Sequence, residues 1–167
     1  MKYFVFILSL SVLILSCSKT SDKEYLDKGV AQLDQKKISE AITSFQNLID
    51  EYPESALAPE AMLKIAQVYQ NKLDTSLTGG ASLKKAVDTF KMIFKNYPNS
   101  QQAPSSLFMA AFILANDLKN FNEATETYNL FLSKFPNDKL APSAKEELEN
   151  MGLSPEEILE KKISANK

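Results

Sequence analysis

The sequence predicts an all-α chain, an α-solenoid of three helical hairpins finished by C-terminal capping helices, and three observations carry that expectation. First, Ala41, Phe45, Leu48, Ile49, Tyr52, Pro53, Ser55, Ala58, Pro59 and Ala61 recur as Ala86, Phe90, Ile93, Phe94, Tyr97, Pro98, Ser100, Ala103, Pro104 and Ser106. A third copy reads Ala124, Tyr128, Phe131, Leu132, Phe135, Pro136, Asp138, Ala141, Pro142 and Ala144. Second, the internal spacing is the same in all three, and the copies begin 45 and then 38 residues apart, a period of stacked helix pairs. Third, the apolar residues at offsets 0, 4, 7, 8 and 11 share one face of a helix. The proline at offset 12 has no N–H to donate and clashes with the preceding turn, so it stops that helix.

The elements follow in chain order. Ser21 and Glu24 have capping-box spacing and open a helix over 22–35. The repeat copies supply the second helix of each hairpin, over 38–52, 82–97 and 121–135. After each of these, Ser55, Ser100 or Asp138 offers a short acceptor suited to capping the next helix. The Ala-Pro pairs fall in that helix's first turn, where a missing N–H costs least. This predicts helices over 57–73, 102–118 and 139–151, of which Leu107 to Ala115 is apolar on every side and should be enclosed by protein. Seven extra residues between the first two copies fall in 74–81, where Thr78-Gly79-Gly80 is expected as a loop. Gly152 ends one helix, and Ser154-Pro155-Glu156-Glu157 opens the last, over 155–163. No strand is expected.

Composition narrows the chemistry. The 167 residues are 44% hydrophobic and include no His, so no His-based triad or general base and no mixed Cys/His zinc site can form. All 19 basic residues are Lys, set against 21 Asp and Glu, so guanidinium clamps for phosphate or guanine are absent and nucleic acid is not an expected partner. Thr78-Gly79-Gly80-Ala81-Ser82-Leu83-Lys84-Lys85 lacks the Gly-Lys-Ser/Thr ending of a phosphate loop and follows no strand. Glu146/Glu147 and Glu156/Glu157 are adjacent pairs that point in different directions on a helix, a solvated face rather than an acid and base. The short lysine pairs Lys36-Lys37, Lys84-Lys85 and Lys161-Lys162 are too separated for a nucleic-acid track. The Phe and Tyr residues recur at helical spacing, as core does. No enzyme activity, cofactor or metal is expected.

The N-terminus is different in kind. Lys2 precedes the apolar run Tyr3 to Leu15, too short for the ~20 residues of a membrane-spanning helix and right for a secretory signal. Ile14-Leu15-Ser16-Cys17 follows, with a small residue before the chain's one Cys and the polar stretch Ser18 to Asp22 after it. This resembles the lipobox of bacterial lipoproteins, which implies a diacylglyceryl thioether on Cys17, cleavage before it and acylation of the new amine. Two or three acyl chains hold a protein on a bilayer where one would not. The expected organisation is signal peptide 1–16, lipidated tether 17–21, repeat domain 22–163 and tail 164–167. By resemblance, Ser18 favours the outer membrane, with the domain on its periplasmic face.

The repeats themselves resemble the tetratricopeptide family. Tyr25, Gly29, Ala41, Phe45, Leu48 and Pro53 fit its pattern, as do Met62, Ile65, Ala66, Tyr69, Ala86, Phe90, Ile93 and Pro98. Leu107, Ala110, Ala111, Ala124, Tyr128, Phe131 and Pro136 form the third hairpin, with one extra residue between its helices. Lys28 and Gln32 stand where apolar residues are usual, as in an end repeat with one face in water. The Tyr-Pro-x-Ser-x-x-Ala joints on a lipobox-bearing chain resemble the BamD family of outer-membrane β-barrel assembly lipoproteins. Similar repeats occur in the YbgF/CpoB family, which works with Tol-Pal. BamD proteins have about five repeats against three here, and YbgF/CpoB proteins have an N-terminal coiled coil and normally no lipid.

In helix-hairpin solenoids the first helix of each pair lines the groove. That implies a partner-binding groove of Leu26, Val30, Leu33, Leu63, Gln67, Gln70, Asn71, Phe108, Phe112 and Asn116, suited to the apolar face of a helix or an extended peptide. The C-terminal helices could instead fold over Phe108 and Phe112 and close it. The function implied is a lipid-anchored scaffold whose partners are envelope proteins, outer-membrane assembly or Tol-Pal components, with an apolar-ligand carrier as the remaining alternative. Lipidation has a direct check: Cys17→Ala should lose acyl labelling and fractionate as an unprocessed precursor or a soluble protein, whereas unchanged labelling would overturn the export argument.

Overall fold

A computed structural model describes residues 19–165, with the side chains described through Ser164; the expected signal peptide and Cys17 lie outside this range. Eight helices follow one another: α1 Asp22–Asp34, α2 Ile38–Glu51, α3 Ala58–Gln70, α4 Gly79–Asn96, α5 Ala103–Asn116, α6 Phe121–Lys134, α7 Ala141–Asn150 and α8 Pro155–Ala165. No strand occurs among the described residues. Consecutive helices from α1 to α7 pack on one another, giving three hairpins and a C-terminal pair in a tetratricopeptide-like α-solenoid.

The repeated residues are the ones that hold the stack together. Ala41, Ala86 and Ala124 are fully buried, as are the rings of Phe45 and Tyr128, and Phe90 is 1% exposed. Ala61, Ser106 and Ala144 are equally buried at the same offset in the following helix, where a small side chain lets two helices approach closely. Two clusters of buried side chains result. One joins α1, α2 and α3 through Leu26, Phe45, Leu48 and Ile65, and the larger one runs from Met62 to Ala144; half-buried Ile49, Tyr69 and Tyr97 pack against both. As the apolar composition of α5 requires, nine of its residues are buried, from Ala103 to Ala115.

Hairpin turns and joints use different devices. After α1, Lys36 has φ 60° and the amides of Lys36 and Lys37 donate to the carbonyls of Leu33 and Gln32; after α3, Lys72 and Leu73 repeat this with Tyr69 and Val68. This double bond pattern caps a helix C-terminus through one left-handed residue. The third hairpin's extra residue widens its turn: the Leu118 amide donates to the Ile113 carbonyl and the Asn120 amide to that of Leu114, with Lys119 left-handed.

At the joints, the expected capping roles are corrected. Ser55 Oγ accepts from the Leu57 amide at 3.0 Å and Asp138 Oδ1 from the Leu140 amide at 2.8 Å. Leu57, Gln102 and Leu140, rather than Ser55, Ser100 and Asp138, are the N-caps, because a turn intervenes before each Ala-Pro pair enters the helix. Ser100 Oγ is buried with no hydrogen-bond partner among the described residues. The expected loop at Thr78-Gly79-Gly80 is also corrected: Thr78 caps α4 by accepting from the Ala81 amide at 3.3 Å, and the two glycines form its first turn. The inserted segment before it is tied by Asp74, which accepts from the Ser76 hydroxyl at 2.6 Å.

The first hairpin is fastened at its N-terminal end. Ser21 and Glu24 form the expected capping box. Tyr25 Oη donates to Glu51 at 2.7 Å, and the Ser55 hydroxyl donates to Asp22 at 2.5 Å. That bond is the main reason the Asp22 carboxyl is held below its ordinary range, with the Lys23 amide adding to it; Ser21 does the same for Glu24. Because folding lowers these pKa values, the stability they contribute is complete above the ordinary carboxylate range and is lost as pH falls through the depressed values. Ser55→Ala should therefore move the Asp22 titration, followed by NMR, upward toward its ordinary value.

Gly29 marks the closest approach in this hairpin. A Cβ there would meet the buried Phe45 ring, with Cδ1 at 2.7 Å and Cζ at 2.8 Å. Gly29→Ala should cost about 1–3 kcal/mol by overpacking, measured as the fall in denaturation free energy.

Candidate functional site

The ten residues expected to line a groove stand on α1, α3, α5 and the C-cap of α3, and they do not share one environment. Leu26 and Phe108 are each only 9% exposed and belong to the two cores. Val30 and Leu33 are half-buried against the smaller cluster, and Leu63 and Phe112 against the larger one. Gln70 is half-buried, while Gln67, Asn71 and Asn116 are exposed.

Phe108 is enclosed for a local reason. Its ring meets Tyr128 edge-on at 5.5 Å and Phe131 at 5.8 Å, and Phe112, one turn on, lies nearly parallel to it at 6.4 Å. Edge contacts of this kind add about 0.5–1.5 kcal/mol each beyond area burial. Beneath them the Tyr128 hydroxyl is buried with no hydrogen-bond partner among the described residues. Burial pushes this phenol far above its ordinary value, and the nearby Glu147 carboxylate adds to the effect. Phe108 is therefore aromatic core, and solvent meets exposed Gln67, Asn71 and Asn116 together with half-buried Val30, Leu33, Leu63 and Phe112.

α7 joins the larger cluster, the one that holds Phe108, through buried Ala141 and Ala144, with Leu148 packed against it. α7 reaches α5 at its C-terminal end, where Asn116 Nδ2 donates to Glu147 at 3.1 Å. α8 opens with the expected Ser154–Glu157 capping box and is held to α7 by Lys162 and Glu146 at 3.0 Å and by Lys161, which donates to the Glu149 carbonyl at 3.0 Å. Between them is an open hollow of about 680 Å³, whose walls include Asn116, Lys119, Phe121, Glu146, Glu147, Met151 and Lys162. Phe108 and Phe112 are not among its lining residues. Asn116 is the one expected groove residue that this hollow contains. The others in its wall come from the end of α5, the α5–α6 turn and the start of α6, and from α7, α8 and the connection between them.

Among the described residues no group of carboxylates or thiols is gathered that could hold a metal ion. The half-exposed apolar side chains, amides and paired charges of these helices can pack against and hydrogen-bond a polypeptide.

The division between core and surface is measurable. Phe108→Ala should cost about 3–5 kcal/mol in chemical denaturation. Asn116→Ala should change stability by less than about 0.5 kcal/mol, since its amide bonds only at the surface.

Comparison with protein families places these features together. The family model YfiO, described as outer membrane lipoprotein, matches residues 18–154, from just after Cys17 through the start of the α7–α8 connection's capping box. Comparison with curated proteins gives no match. Among the described residues no helix is long and apolar enough to cross a membrane. With three hairpins of tetratricopeptide type under a match that spans most of its length, the chain belongs to the YfiO family of outer membrane lipoproteins.

Proposed function

We propose that this chain is a non-enzymatic scaffold, anchored by lipid on Cys17 to the periplasmic face of the outer membrane, that binds other envelope proteins through the rim of its inner face. Residues 1–16 are the removed signal and 17–21 the tether. The observation that supports this reading is the family match beginning one residue after the lipobox Cys17 and running through α1 to α7.

A helical or extended segment of the partner would lie along exposed Gln67, Asn71 and Asn116, with half-buried Leu63 and Phe112 beside them. Amides on such a surface bond a polypeptide backbone, and the flanking apolar edges give alternate side chains somewhere to pack. The role that fits the family best is BamD-like, in assembly of β-barrel outer-membrane proteins.

Affinity purification of a tagged chain at native expression should recover barrel-assembly components, and a Gln67→Ala/Asn71→Ala/Asn116→Ala triple variant should lose them while keeping its fold by circular dichroism. Recovery of Tol-Pal components instead would assign the YbgF/CpoB-like role, and recovery of neither would overturn the scaffold reading.

A further inference from the structure

The two edges of the solenoid are chemically similar but stand in different relations to the N-terminus. One edge carries the joints between hairpins, 52–57, 97–102 and 135–140, and the other carries the turns within hairpins. The chain enters at the joint edge and is pinned there. Tyr52 Oη donates to the Thr20 carbonyl at 2.7 Å, Lys19 Nζ lies 3.5 Å from Glu51, and the same ammonium sits 4.5 Å from the centre of the Tyr52 ring. Tyr52 is the C-cap of α2, so residues 19 and 20 cross the end of that helix rather than run along its side.

From this we infer that the joint edge of the first hairpin faces the phospholipid headgroups and that the hairpin turns point away into the periplasm. The inference rests on the proposed lipidation of Cys17. Only Ser18 separates Cys17 from pinned Lys19, and two residues span at most about 7 Å. The acylated residue is in the headgroup layer by its own chemistry, so the Tyr52 end of the hairpin is held against that layer. α1 has 13 residues and is about 20 Å long, which places the 35–37 turn that much farther out. Charge does not choose between the edges, since Lys95, Lys134 and Lys139 lie at one and Lys36, Lys72 and Lys119 at the other. The short leash does. It also aims the loop at 71–78 and the α5–α6 turn beside the hollow at the side from which a periplasmic partner arrives.

The test uses the full lipidated chain in phospholipid vesicles. Acylation consumes the thiol of the one native cysteine, so an introduced cysteine is the single labelling site. An environment-insensitive fluorophore is placed at Glu54→Cys or Asn99→Cys on the joint edge, and at Gln35→Cys or Thr75→Cys on the turn edge, all of them exposed positions. With nitroxide-headgroup lipid in the vesicles, the labels at 54 and 99 should lose fluorescence and those at 35 and 75 should keep it. Equal loss at both edges, or greater loss at 35 and 75, overturns the orientation. A chain with about ten Gly and Ser residues inserted after Ser18 should lose the difference between edges; persistence of the difference would overturn the leash as its cause. Mass spectrometry of Cys17 and vesicle flotation separate this from the parent reading. A chain that floats with acylated Cys17 but quenches equally refutes only the orientation, whereas an unacylated chain that does not float refutes the anchor and the orientation with it.

Discussion

Everything in this structure depends on one steric condition, that the two helices of a hairpin come close enough for the ring at the fifth position of each repeat to be sealed. Phe45, Phe90 and Tyr128 meet it because small residues stand around them: Ala41, Ala86 and Ala124 one turn before the ring, and Gly29 directly over Phe45. A larger side chain at these places would have to move a ring that has no free volume to move into. The same condition recurs between hairpins at Ala61, Ser106 and Ala144. Stacking is therefore a repeated local rule, and each hairpin needs its neighbour to cover the face it cannot bury alone.

That rule explains why the inner face behaves as it does. A helix between two others cannot reserve its apolar residues for a partner, because α5 must bury Phe108 on Tyr128 and Phe131 for the third hairpin to close. The proposed partner surface is accordingly a rim of amides and half-buried side chains beside an aromatic core. In the first hairpin, by contrast, Lys28 is exposed, and half-buried Gln32 accepts a hydrogen bond from the buried Ser44 hydroxyl, so polar groups stand where the later hairpins carry apolar ones. At the C-terminal end, α7 and α8 are splayed enough to leave a hollow lined with lysine and glutamate side chains.

The helices were legible because their signals are local and strong. Each proline stop, each Ala-Pro start and the capping boxes at Ser21 and Ser154 act within one turn of chain, and the observed helices begin and end close to where these residues place them. The departures occur where two local devices compete. Thr78 could end a loop or cap a helix, and its hydroxyl found the Ala81 amide, so Gly79 and Gly80 joined α4 despite their poor helix propensity. Ser55 and Asp138 could cap a helix or close a turn, and the intervening turn residues took their acceptors first.

What the sequence by itself determined is the list of helices, the residues at their contacts and the position of the candidate lipid anchor, because periodicity, proline and capping chemistry are written into neighbouring residues. What only the tertiary structure decided is which side chains remain for a partner. Leu26 and Phe108 carry the same apolar, inward-facing signature as Leu63 and Phe112, yet the first two are core and the second two lie at its margin. Exposure depends on how far the next helix reaches over a residue, a property of three helices at once. The hollow beside Asn116 and the pinning of Thr20 across the end of α2 are likewise meetings of residues distant in the chain, which no local pattern encodes.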